Sequence, residues 1–322
     1  VKVGIHYETF KVIVDFNPVA DVTDIPRSLF RRMSKMAEKE RDLILKHAPD
    51  CRLPVAPLHF LRLSTHLELS RPEGYIERWV KVFKRMSLLY DTYPLPHYDT
   101  CKAFEVEKNA RLLLFRDKCK DVLKLVKTPI CGVEAVKMYL NQSGENIPEN
   151  VIVDPSMPLI DVVSTNYNRT VSILKRKLSQ YLQQGEELIS QYHAPLNLSE
   201  LLPRHQIIYL VTKSFKRPII AVYRKQACYS FKVLNGLRYG TIDTLLTFMY
   251  AWLLSDRVYL NNSKINCLLA WILHVQYINL NQKKYLFDLF EQRCYGRQRK
   301  IEDAKRDLWD KGKDQVVYRP RY

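Results

Sequence analysis

Residues 9–25, TFKVIVDFNPVADVTDI, alternate apolar and polar positions on either side of Asn17-Pro18. That is the period of half-buried strands, and it predicts a two-stranded antiparallel unit with a tight connection. Polar helical sequence follows to about His47, and Ala48–Pro57, with three prolines, reads as loop. Two long helices are predicted over Leu58–Leu69 and Gly74–Tyr90, split at Arg71-Pro72, and then a linker, DTYPLPHYD, at 91–99. A second unit opens near residue 104 with a helix over Val106–Val126, a turn at Pro129–Gly132 and a short helix through Leu140. The connection Asn141–Asn150 leads to a strand at Leu159–Ser164, a basic helix at Arg169–Tyr192 and strands at Ile207–Thr212 and Ile219–Val222. Helices at 241–254 and Ser263–Leu280 precede a charged, aromatic tail from Arg293. This mixture of strands and long helices is α/β (α+β), and 322 residues are enough for two domains.

Charge sharpens the picture. Fifty-one Lys and Arg against thirty-four Asp and Glu leave +17, which favours a polyanionic partner through counterion release. The most apolar helix lies in an uncharged run from Thr244 to Ser255, too short to cross a membrane, so a buried helix and no membrane partner are expected. Seven cysteines at scattered positions form no CxxC pair, and free thiols in a reducing compartment are the simplest expectation. The chain opens on Val1 rather than Met and enters a strand pattern within a few residues. LELSRPEGYIERWVKVF (67–83) and LLSDRVYLNNSKINCLLAWI (253–272) share an outline that fits an internal duplication with a degenerate second copy.

Several residues can carry chemistry. Polymerases that add nucleotides hold two metal ions with carboxylates on adjacent strands, two of them one residue apart. Asp21, in VADVT, is an acid flanked by apolar residues, but no Gly-rich turn with a following Asp-x-Asp occurs in the chain. The nearest arrangement is Cys131-Gly132-Val133-Glu134 with Asp161 in LIDVVST, where Val163 stands in place of a second acid. A decayed motif and chance both account for that spacing. Arg78, Lys81 and Arg85 fall at i, i+3 and i+7 with Lys84 beside them, while Trp79, Val82, Phe83 and Met86 face the other way. Such a row can grip a triphosphate or an RNA backbone; an ordinary solvated face carries the same pattern. Residues 293–322 interleave ten Lys and Arg with Tyr295, Trp309, Tyr318 and Tyr322, a composition suited to single-stranded nucleic acid and equally to a solvated tail.

The stretch LHFLRLSTHLELSRPEGYIERWVKVFKRMSLL (58–89) resembles the segment after the catalytic strands of giant-virus poly(A) polymerases, the catalytic subunits of large nucleocytoplasmic DNA viruses. TFKVIVDFNPVADVTDIP (9–26) resembles the strand pair before it, and ACYSFKVL (227–234), GTIDTLLTFMYAWL (240–253) and RCYGRQRKIEDAKRDLWDK (293–311) resemble C-terminal landmarks in the same order. The resemblance implies a partial nucleotidyltransferase-like domain at 1–98, a second, degenerate one with long helices at 99–292, and a basic tail at 293–322. It implies ATP as substrate, Mg2+ or Mn2+ in a two-metal site of the complete enzyme, the 3′ end of an mRNA, and a homodimer or a processivity partner. The expected place is the viral factory of the host cytoplasm or the virion. By resemblance Asp21 is the third catalytic carboxylate and a metal ligand, while Arg71, Arg78, Lys81, Lys84 and Arg85 contact nucleotide or RNA. Arg293, Tyr295, Arg297, Arg299 and Lys300 of the tail are the further RNA-binding candidates. The first two carboxylates are absent, so this polypeptide alone is expected to be inactive. It reads as the C-terminal portion of a longer adenylyltransferase, with a non-catalytic RNA-binding or virion structural paralogue as the alternative. A uridylyl- or CCA-adding enzyme would differ in nucleotide preference.

Overall fold

The computed structural model describes residues 8–14, 17–25, 27–47, 49, 55–70, 76–96, 105–145, 151–152, 154–195, 202–225, 228–255, 261–280 and 284–296. Strands β1 (Glu8–Val14) and β2 (Asn17–Asp24) pair antiparallel, with Asp21 opposite Lys11 and a register irregularity at Val12/Ile13. Asn17 and Pro18, expected at the turn, instead begin β2, and Pro18 pairs with Ile13 beside that irregularity. Three helices follow: α1 (Arg27–His47), α2 (Leu58–Leu69) and α3 (Ile76–Thr92).

The next segment starts with the short strand β3 (Glu105–Val106), where a helix was expected to begin. The helix α4 (Ala110–Val126) begins after Asn109, whose side chain accepts from the backbone N–H groups of Arg111 and Leu112. Then come β4 (Ile130–Cys131), which lies where a turn was expected, α5 (Val133–Ser143), β5 (Val151–Ile152), β6 (Ile160–Ser164) and α6 (Tyr167–Leu178). The basic helix expected to reach Tyr192 therefore ends fourteen residues early, at Leu178. Gly185, at φ +84°, turns the chain, and Glu187–His193 becomes strand β7 because it pairs along its whole length with the next strand.

The remaining elements are β8 (His205–Val211), β9 (Lys216–Arg224), β10 (Tyr229–Leu234), β11 (Leu237–Gly240), α7 (Ile242–Leu253), α8 (Asn262–Asn279) and β12 (Cys294–Tyr295). β10 and β11 form a hairpin whose loop, Asn235-Gly236, has positive φ at both residues (50° and 76°). That dipeptide suits the tight turn that matches strand twist. Eight strands make one mixed sheet in the order β12-β10-β11-β4-β6-β9-β8-β7, with parallel pairing only at β11/β4 and β6/β9. β3 and β5 pair as a separate ribbon.

Helix α7 is buried at every position from Ile242 to Leu253, which its lack of charge beyond Asp243 allows. It packs between α2, α8 and the sheet strands β4, β10 and β11. One apolar core runs from Met33 of α1 through Phe60, Leu63 and Leu67 of α2 to the sheet and Phe287. Cys228 and Cys294 form a disulfide, Cα–Cα 5.4 Å, that ties β12 to the start of β10, and Cys267 is disulfide-bonded as well. The expectation of free thiols throughout is corrected here: the folded chain brings residues 66 apart within bonding distance, which spacing along the chain does not reveal. Cys119 and Cys131 are free and buried.

Candidate nucleic-acid interface

Helix α3 presents one face to the protein and one to solvent. Trp79, Val82 and Met86 are buried with Leu69 of α2, and Phe83 and Tyr90 pack against them. The Trp79 ring stacks on Phe290 at 5.7 Å, and Phe83 meets the same ring edge-on at 6.2 Å. At the far end, the Tyr90 hydroxyl lies 2.6 Å from that of Tyr250 and 2.9 Å from His66 Nε2, while His66 Nδ1 lies 2.9 Å from Asp243 Oδ1. With Nδ1 donating to the carboxylate, Nε2 accepts from Tyr90, which accepts in turn from Tyr250, so each buried group has a partner. Burial holds the Tyr90 phenol well above its usual range and pushes Tyr250 up to about 12. Both rings stay neutral, and they pin α3 to α2 and α7.

On the other side, Arg78, Lys81, Lys84 and Arg85 are exposed. Arg78, Lys81 and Arg85 line an open groove of about 540 Å³ with Val82, Glu68 and Glu77; Lys84 stands outside it. Arg78 Nε donates to Glu68 Oε1, and this carboxylate raises the guanidinium pKa further. Arg71, expected to continue the row, lies outside the described residues.

The Gly132 and Asp161 arrangement, which spacing alone left open, is a physical contact. Gly132 follows β4 and caps α5 at φ +75°, while Asp161 sits opposite Cys131 on β6. A Cβ built on Gly132 would come within 2.4 Å of Asp161 Oδ2 and 3.0 Å of Trp252 Cη2. A strand, a glycine turn into a helix, and an acid on the next strand are thus assembled. They are also shut. Asp161 is 1% exposed, its Oδ1 accepts from the Tyr223 hydroxyl at 3.2 Å, its Oδ2 has no partner, and burial pushes its pKa to about 8. Val163, buried at 1%, holds the place of a second acid. A protonated, enclosed carboxyl beside a valine does not fit a two-metal site, which needs ionised oxygen ligands open to substrate. Among the described residues no group of three or more His, Cys, Asp or Glu could hold a metal ion. Asp21 lies in β2, and its side chain falls outside the described residues.

Of the tail candidates, Arg293 and Tyr295 are placed and Arg297, Arg299 and Lys300 lie outside the described residues. Arg293 donates through both Nε and Nη2 to Glu291 at 3.1 Å, and its guanidinium lies 5.1 Å from the Tyr285 ring. The Tyr295 hydroxyl accepts from the Thr165 N–H at 3.4 Å and its hydroxyl at 3.3 Å, with Arg238 5.9 Å from its ring. Sequence reasoning missed that this segment begins as sheet. It also missed Glu68, Phe290, His66 and Asp243. Glu68 had a visible signal, an acid placed just before the basic helix; the other three are joined to it only by the fold.

No protein-family model matches the chain, and no curated protein sequence matches it. Among solved structures, the chain is similar to the crystal structure of the Megavirus polyadenylate synthase, with a TM-score of 0.70 and 18% identity. The match covers 97% of this chain and 63% of that one, so this chain spans less than two thirds of the length of that structure. The mixed α/β fold of this chain is therefore similar to the fold of that structure.

Proposed function

We propose that this chain serves viral polynucleotide adenylyltransfer, the template-independent addition of AMP from ATP to mRNA 3′ ends, by holding the RNA along α3. The observation that carries the reading is the groove of Arg78, Lys81 and Arg85, exposed on a helix anchored by Trp79, in a fold similar to a polyadenylate synthase. Guanidinium and ammonium groups in a row contact successive phosphates without reading base identity. In this reading Asp21 supplies one carboxylate toward Mg2+ or Mn2+, and ATP is the nucleotide. The first two carboxylates of such a site are not among these residues, because no Gly-rich turn with Asp-x-Asp occurs in the sequence. A homodimer, a processivity partner and a place in the host cytoplasm or virion belong to the same proposal.

A second reading is a non-catalytic RNA-binding or virion structural paralogue, favoured by the enclosed Asp161 and the valine at 163. One set of measurements separates them. Binding of single-stranded RNA should weaken about a hundredfold when Arg78, Lys81 and Arg85 are changed together to Ala, at roughly 1 kcal/mol per lost phosphate contact. Asp21→Ala should then abolish ATP-dependent extension of an RNA primer by the natural full-length polypeptide while leaving RNA affinity unaltered. No extension by the natural polypeptide under any divalent ion would leave the binding paralogue.

A further inference from the structure

The groove on α3 contains two acids of its own, Glu68 and Glu77, and Glu68 is the one that bonds a cation of the row. Glu68 stands at the end of α2, held by the buried cap at Ser70, whose N–H donates to His66 O at 2.8 Å and whose carbonyl accepts from the Ser230 N–H at 3.0 Å. From there its carboxylate takes the Nε–H of Arg78, the first cation of the row. Lys81 and Arg85, by contrast, have no carboxylate partner among the described residues. Arg78 and Arg85 are seven residues apart, about 10 Å along the helix axis. A phosphate chain spans that length with one group at each cation.

We propose that Glu68 is an internal stand-in for phosphate. It occupies Arg78 in the free protein and is displaced only by a phosphate chain already anchored on Lys81 and Arg85. This makes it a specificity-determining residue that disfavours short anions, and the inference rests on the reading that the groove holds RNA. The pair suits the role energetically. Both side chains are partly exposed, 60% for Arg78 and 32% for Glu68, so the bond is weak enough to exchange. A phosphodiester carries the same single charge as a carboxylate and can bond the guanidinium through two parallel hydrogen bonds, so an RNA chain already held by Lys81 and Arg85 wins the exchange through its added contacts.

The test uses the full chain and fluorescence anisotropy of a short labelled single-stranded oligoadenylate, with thermal melts to show that each variant is folded. Glu68→Gln should bind about two- to fivefold more tightly, the range of an exposed ion pair. Its log Kd against log salt should keep the parent's slope, because Arg78 meets a phosphate in both complexes. In an Arg78→Ala background the same Glu68→Gln change should have no effect, which is the double-mutant signature of masking. Unchanged affinity in Glu68→Gln overturns the inference, and so does tightening that persists without Arg78. Lys81→Ala with Arg85→Ala is the separate control on the underlying reading. If that pair leaves RNA affinity unaltered, the groove is not the RNA site and the role of Glu68 falls with it; if the pair weakens binding, a null result with Glu68→Gln counts against Glu68 alone.

Discussion

Asp161 is the residue whose chemistry departs furthest from its solution behaviour. Burial raises its pKa from 3.8 to about 8, and the Tyr223 hydroxyl offsets only part of that rise. The folded state therefore holds a proton that the unfolded chain releases above about pH 4. Its contribution is fully present below that pH and is lost as pH rises toward 8. Asp161→Asn, neutral at every pH, should remove this dependence. In urea unfolding the variant should gain on the parent between pH 5 and pH 8, by on the order of 1 kcal/mol per unit. Parallel curves for the two proteins would mean that Asp161 is ionised in the fold. Next to it, Gly132 combines φ +75° with no room for a Cβ. Gly132→Ala should cost about 2–5 kcal/mol, from backbone strain and overpacking together, read from the same titrations.

At the scale of elements, α3 depends on a strap. Phe290, under Trp79 and Phe83, belongs to a segment anchored by Glu291, paired with the buried Lys232 at 2.9 Å, and by the Cys228–Cys294 disulfide. Trp79→Ala should lose about 3–5 kcal/mol and raise hydrogen exchange selectively in α3. Exchange that rises uniformly over the molecule would show that α3 does not open on its own. Cys228→Ser, or reduction, should lower stability by about 2–4 kcal/mol, since the bridge closes a long loop. A melting temperature indifferent to reductant would remove the bridge from this account.

For the molecule as a whole, net charge sets how binding responds to salt. With +17 overall, RNA affinity should fall steeply with added salt, log Kd rising linearly with log salt concentration. Lys81→Ala should lower that slope by about one and weaken every RNA sequence alike, because phosphate contacts carry no base information. Lys124→Ala is the contrast: this lysine lies on α4 beside Asp121 at 3.9 Å, away from the groove, and its loss should leave the slope unchanged. Equal effects of the two substitutions would mean that total charge, rather than the α3 groove, governs binding.

Elements whose signal is local were legible in the residues. Helix α2 begins and ends where its pattern and flanking proline place it, and α3 lies within two residues of expectation, because a 3.6-residue period needs no distant partner. The same logic marks the apolar faces of Trp79, Val82 and Met86, and with them the exposure of Arg78, Lys81 and Arg85. The Asn235-Gly236 hairpin was equally local, and its turn residues went unread. Other features exist only through pairing across the chain. Glu187–His193 could extend a basic helix or pair as a strand, and β8 decides; Cys294 could be a free thiol, and Cys228 decides. Gly132 and Asp161, 29 positions apart, form one closed site only because β4 and β6 are neighbours. Periodicity and composition are enough for α2, α3, the apolar stripe of α3 and the excess of positive charge, which need no distant partner. Which acid is enclosed, which cation is already paired and which cysteines are joined is set by the fold, because burial and proximity are properties of residues that meet from distant parts of the chain.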